Sequence, residues 1–225
     1  YRERMRKPMT VVRDYFLPGW IGEDTFVILS SYSGETEETL TCAMQALERN
    51  ALCVAISSGG KLASFYAAEG VLLERMGAVP PLGGELDEAR GAVEAAVAGL
   101  GPGVPEPQNP AKQLARALLG GVPLVWGAEL TAPVAARWAR QVNENAKLPA
   151  FASALPELDH NELVGFPGMP ADLRKLARLV MLRDPRNHRQ VQRRFDLTRE
   201  LVEGHVDAVY SITADGQGAL ARMLD

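Results

Sequence analysis

Cysteine is nearly absent: Cys42 and Cys53 are the only two in 225 residues. They fall in a predicted helix and a predicted strand, without the spacing of metal ligands, so buried free thiols in a reducing cytoplasm are expected. Histidine is as scarce. His160, His188 and His205 lie far apart in sequence and offer no metal-binding cluster. No apolar run approaches the roughly 18 residues of a membrane span, and no signal-peptide pattern is visible. A large excess of charge of one sign is missing too. With a net charge of −4 there is no global field to hold nucleic acid or an anionic membrane, and neither partner is expected. What remains is ordinary globular composition, 47% hydrophobic and 23% charged, in a chain long enough for one large or two small α/β domains.

The most informative stretch runs from Thr25 to Asn50. Phe26 to Leu29 is a short apolar, partly β-branched run that reads as a buried strand. Ser31-Tyr32-Ser33-Gly34-Glu35-Thr36 follows, and Glu37 opens a helix through Leu47. Hydroxyls and a glycine thus sit between the carboxyl end of a strand and the amino end of a helix. Such an end carries unpaired N–H groups and partial positive charge, which suits a phosphate. Ser31, Ser33 and Thr36 can add O–H donors, and Gly34 lets the backbone come close. The plainer alternative is that Ser33 or Thr36 merely caps the helix.

Ala51 to Ile56 is a second strand. Ser57-Ser58-Gly59-Gly60-Lys61-Leu62 opens a helix through Ala68, and Val71 to Leu73 is a third short strand. Lys61 could face an anion or be a solvated helix-start lysine. Strand, helix, strand, helix at these lengths argues for parallel βαβ units. Glu85 to Leu100 reads as a helix with Leu86, Ala89, Val93 and Val97 on its apolar stripe. Residues 101–110, rich in proline and glycine, form the expected linker between a first subdomain (1–100) and a second (111–225). In the second, Ala111 to Leu119 is a predicted helix and Val122 to Gly127 a strand. Thr131 to Lys147 is a long helix with Val134, Trp138 and Val142 as its buried stripe. Leu179 to Leu182 and Val206 to Ile212 are strands, with a helix from Arg186 to Val202 between them. That helix is basic. Arg186, Arg189 and Arg193 share a face that reads as solvated or as a subunit contact. The expected architecture is α/β, two doubly wound parallel-sheet halves.

A second constellation ends the long helix. Glu144, in Asn143-Glu144-Asn145-Ala146-Lys147, lies two residues past Val142, about 200° around the helix and so off the buried stripe. Phe151 to Leu155 leads into Pro156-Glu157-Leu158-Asp159-His160-Asn161-Glu162. A carboxylate and a histidine close in sequence can make an acid/base pair. The competing readings are an exposed ion pair of Glu144 with Arg140 or Lys147, and a helix cap or surface imidazole for His160.

SYSGETEETL resembles the first phosphate loop of the sugar isomerase (SIS) domain family, S-x-S-G-x-T-x-E-T, and Ser57 to Leu62 resembles its S-G-G-x-L loop. NENAKLPAF followed by PELDHNELVGF resembles the signature of the bifunctional phosphoglucose/phosphomannose isomerase branch. The resemblance implies two SIS (flavodoxin-like) subdomains, with Ser31, Ser33 and Thr36 as phosphate ligands. It implies Glu144 as catalytic carboxylate and His160 as catalytic histidine, with no cofactor or metal. The implied substrate is a hexose 6-phosphate. The implied assembly is a homodimer in which the neighbouring subunit donates the histidine. Two departures accompany it. The branch's Pro-Arg, whose arginine stabilises an enediolate, is replaced by Pro80-Pro81-Leu82, with Arg75 and Arg90 the nearest guanidiniums, and no C-terminal functional lysine follows Asp225. The chain is accordingly expected to begin inside its first subdomain and either to lack its last helix or to be a divergent member. The alternative function is a non-catalytic module that binds a sugar phosphate as a sensor or structural partner.

Overall fold

A computed structural model describes residues 7–57, 77, 81 and 83–224. The chain divides into two compact units, Tyr1–Leu82 and Gly83–Asp225. In the first, strand β1 (Phe26–Ser30), helix α1 (Glu37–Glu48) and strand β2 (Leu52–Ile56) form a βαβ unit. The two strands are parallel, with Phe26 opposite Leu52 and Ser30 opposite Ile56. Cys42, Ala43 and Ala46 turn the buried face of α1 inward, against Leu17, Ile21, Leu29 and Ala51. The connector ahead of β1 is laced to α1 by side chains. The Gln45 amide accepts from Leu17 N–H (3.1 Å) and donates to Tyr15 O (2.7 Å), and Arg49 donates to Pro18 O (2.8 Å). Asn50 closes the helix in the left-handed region at φ 55°, where asparagine is tolerated. Burial raises both thiol pKa values, as expected of free thiols, although only Cys42 is buried and Cys53 is half-buried. The expected strand at 71–73, the helix at 61–68, the loop residues Ser58 to Leu62 with Lys61, and Arg75, Pro80 and Leu82 lie outside the described residues.

The second unit is built on four parallel strands in the order β4-β3-β5-β6: β3 (Val122–Ala128), β4 (Phe151–Leu155), β5 (Ala177–Arg183) and β6 (Ala208–Thr213). Its helices are α2 (Gly83–Leu100), α3 (Pro110–Leu118), α4 (Ala132–Gln141), the single turns α5 (Glu162–Gly165) and α6 (Ala171–Arg174), α7 (Arg189–Val202) and α8 (Ala219–Leu224). Alternation along the strands divides the core. Val125, Val180 and Leu182 pack on one face with Leu114, Leu118, Val134 and Trp138. Trp126, Leu179 and Met181 pack on the other with Leu158, Phe166, Phe195 and Val202. Helices cover both faces, which is why these strands read as nearly continuous apolar runs. At the carboxyl end of β3, Gly127 lies against the Thr131 carbonyl where a β-carbon would collide, and the Thr131 hydroxyl donates to Leu182 O (2.8 Å). That close turn carries the chain from β3 into α4. A buried pair, Arg222 Nε to Asp184 Oδ1 (2.9 Å), ties α8 to the end of β5.

Several sequence expectations are revised. Helix 83–100 groups with the second unit and packs on α8, so the boundary falls before α2 and not at residues 101–110. Of its expected stripe only Ala89 is buried, while Val93 and Val97 are exposed. The helix expected over 131–147 is shorter. It runs to Gln141, passes into a π-helical turn over Val142–Ala146 and stops at Lys147 in the left-handed region. Its buried line is Thr131, Ala135 and Ala139, with Val134 and Trp138 flanking it half-buried. Phe151 to Leu155 is a full edge strand, and α7 begins at Arg189, capped by the His188 imidazole.

Asn109 pins the proline-rich segment. It is fully buried, donates to Leu100 O (2.9 Å) and accepts from Lys112 N–H at the first turn of α3 (3.0 Å). Asn109→Ala removes the cap and the hydrogen bond to the Leu100 carbonyl. We expect a loss of about 1–2 kcal/mol of stability in urea denaturation, with Asn109→Asp recovering the cap alone.

Candidate functional site

The first-unit loop starts where β1 ends. Ser31 is 6% exposed, and its backbone N–H donates to Ile56 O (3.0 Å), which fixes it at the carboxyl ends of β1 and β2. Ser31 Oγ lies 2.7 Å from Thr36 Oγ1 and accepts from Gly34 N–H (3.1 Å). Gly34 takes φ 68°, so the glycine is needed for the turn itself. Thr36 stands at the N-cap of α1 but makes no side-chain cap; its hydroxyl turns to Ser31 instead. Ser33 is exposed and accepts from Glu35 N–H (3.2 Å), so it shapes the loop and does not cap α1. Two hydroxyls are therefore paired beside a helix start whose own capping side chain is turned aside. The Tyr15 hydroxyl donates to Glu37 Oε2 (3.2 Å). Burial, then the charges of Glu37 and Glu38, holds that phenol above its ordinary pKa and keeps it a donor. At the end of β2, the Ser57 hydroxyl donates to Tyr32 O (3.3 Å) and joins the two loop starts.

In the second unit, Glu144 sits in the π-helical turn and is exposed. Among the described residues it makes no ion pair, so neither Arg140 nor Lys147 holds it. Its neighbour Asn143 is bound twice to the backbone of one residue: Nδ2 donates to Ala150 O (3.2 Å) and Oδ1 accepts from Ala150 N–H (2.7 Å). That bidentate clasp fastens the end of the helix to the start of β4. Asn145 donates to Gln141 Oε1 (2.7 Å). Glu144, between two tethered asparagines, is left as the projecting carboxylate.

His160 closes a 3-10 turn over Glu157–His160 just past β4 and is also exposed. It caps no helix; Asn161 does, accepting from Glu162 N–H (2.6 Å). A cavity of about 230 Å³ opens beside this turn, lined by Ser153, Glu157, Leu158, Asn161 and Glu162.

Glu144 and His160 do not form the intrachain pair that their closeness in sequence suggests. Asn143 is bound at the entrance of β4, and the His160 turn begins directly after its last residue. A five-residue strand spans roughly 13–16 Å, so the two segments lie at opposite ends of β4. Sequence reading also missed Asn143 as the residue that fastens the Glu144 turn; the amides flanking Glu144 were the available signal. Among the described residues, no three His, Cys, Asp or Glu side chains cluster as metal ligands would, and no helix is long and apolar enough to cross a membrane.

Parallel α/β sheets and a hydroxyl-lined loop between strand and helix are the framework of the chain, and the comparisons place that framework among SIS domain proteins. Residues 107–225 match the family described as the bacterial phospho-glucose isomerase C-terminal SIS domain. The bifunctional phosphoglucose/phosphomannose isomerase of Caldicellulosiruptor bescii is 34% identical over 246 residues, covering 98% of this chain and 72% of that protein. The enzyme of the same name from Aquifex aeolicus is 33% identical over 233 residues, covering 97% and 71%. Among solved structures, the C-terminal domain of glucosamine-fructose-6-phosphate aminotransferase from Francisella tularensis superposes with a TM-score of 0.61 at 14% identity, covering 88% of this chain and 66% of that one; this is a likeness of fold alone. The chain belongs to the bifunctional phosphoglucose/phosphomannose isomerase family.

Proposed function

We propose that this protein is an aldose–ketose isomerase that interconverts glucose 6-phosphate or mannose 6-phosphate with fructose 6-phosphate through a cis-enediolate. The observation that carries this reading is the presentation of Glu144: an unpaired carboxylate on a turn clasped to the sheet by Asn143. A module that only binds a sugar phosphate needs the hydroxyl loop but has no use for such a group.

Each residue has a distinct task. Ser31, Ser33 and Thr36 hold the phosphate, and its binding energy orients the reacting carbons. His160 donates a proton to the ring oxygen and takes one from the anomeric hydroxyl, which opens the hexose. An imidazole can both give and accept a proton, which both directions of that transfer require. Glu144 then removes the C2 proton of the aldose, leaving an enediolate across C1 and C2. It returns that proton to C1 while the O2 proton passes to O1, giving the ketose with no net change in atoms or electrons. Because β4 separates Glu144 from His160, a second copy of the chain supplies the histidine, and the working form is a homodimer.

The test is fructose 6-phosphate in deuterated water with this protein, followed by NMR. Deuterium at C2 of glucose or mannose 6-phosphate is the expected result. It would also show which epimer forms. Saturable binding without exchange or product would overturn the reading in favour of the sensor, the alternative favoured by Leu82 standing where an arginine is expected.

A further inference from the structure

We propose that Asp159 is a positioning residue for His160, holding the histidine's turn against helix α7. This inference rests on the assignment of His160 to ring opening. The turn is fixed at three points. Leu158 is 1% exposed and inserts into the cluster of Trp126, Phe166 and Phe195. The Asp159 backbone N–H donates to Pro156 O (3.2 Å). The Asp159 carboxylate accepts from Thr198 Oγ1 (2.8 Å) and from Arg194 Nη1 (3.0 Å), both on α7.

Those two bonds differ in kind. Thr198 is 1% exposed, so its hydroxyl would be unpaired without Asp159. The Arg194 side chain is 44% exposed and Asp159 only 13%, so that ion pair is partly screened. The buried hydroxyl bond is therefore the stronger positional constraint. A side chain that neighbours His160, is nearly buried and is bound at both oxygens sets the direction in which the imidazole leaves the turn. Displacement of a catalytic group by about 1 Å can cost as much as 10²-fold in rate.

The experiment is a double-mutant cycle on kcat in the full chain: Asp159→Ala, His160→Ala and the double variant, with fructose 6-phosphate as substrate. Hexose rings also open unaided in water, so H160A retains measurable turnover. D159A is expected to lower kcat about tenfold in the parent and less than twofold in the H160A background, because the group it positions is then gone. Thr198→Val, which keeps the volume and removes the hydroxyl, is expected to reproduce the D159A loss with KM unchanged. An equal loss in both backgrounds would overturn the proposal, since a merely structural role weakens every step alike. If H160A alone leaves kcat unchanged, it is the ring-opening assignment that fails, and the cycle shows this separately. Should D159A fold poorly, T198V carries the same comparison.

Discussion

Glu144→Gln is expected to lower kcat for fructose 6-phosphate by about 10³-fold, within the range of general-base removal, while substrate binding stays within about threefold. The structure makes this a clean substitution. Glu144 is exposed and has no ion-pair partner among the described residues, so glutamine orphans none of them and the Asn143 clasp is untouched. Thermal stability should therefore not change, and a loss of turnover reports chemistry. About 10³-fold corresponds to about 4 kcal/mol of transition-state stabilisation. The same variant tests the assembly. E144Q and H160A, mixed and allowed to exchange subunits, should form hybrids in which an intact Glu144 from one copy meets an intact His160 from the other. Recovery of activity above that of either variant alone is expected. Its absence would mean that the two groups do not act across copies. Unchanged turnover in E144Q would remove Glu144 from the base role altogether.

The parts of this fold that were legible in the sequence have a two- or 3.6-residue period backed by burial. β3 and β5 are apolar because both faces of their sheet are covered, β1 packs Val27 and Leu29 toward α1, and α1 shows its buried face as Cys42, Ala43 and Ala46. What escaped has a physical reason in each case. β4 is an edge strand whose first two residues are exposed, so Phe151-Ala152-Ser153 lacks the apolar run of its neighbours. The break in the helix at Gln141 depends on Asn143 binding Ala150 seven residues on, which no local propensity reports. Val93 and Val97 sit at helical spacing yet face outward, since spacing gives a shared face but not what covers it. The candidate site divides the same way. The residue types of the hydroxyl loop and of the Glu144 and His160 segments are visible in one dimension. The opposed positions of Glu144 and His160 across β4 are not, because sixteen residues in sequence hide a strand between them.

Ser31→Ala is the second large effect, expected to lower kcat/KM for fructose 6-phosphate by about 10²-fold. Charge-assisted hydrogen bonds to a phosphate contribute about 1.5–3 kcal/mol each, and Ser31 governs more than its own. Its hydroxyl is the partner of Thr36 Oγ1 and the acceptor for Gly34 N–H, so alanine frees the Thr36 side chain and loosens the turn at φ 68°. Thr36 would then be available to cap α1, as an N-cap threonine ordinarily does, and would turn away from the anion. The loss should fall mainly on KM, with a smaller fall in kcat because phosphate binding also orients the reacting carbons. Inorganic phosphate, which shares only that part of the substrate, should lose inhibitory strength in parallel. Ser33→Ala should do less, since Ser33 is exposed and its hydroxyl is engaged by Glu35 N–H. An S31A enzyme with unaltered KM and unaltered phosphate inhibition would reduce the Ser31–Thr36 pair to a device for starting the helix. The anion would then have to be held elsewhere in the chain.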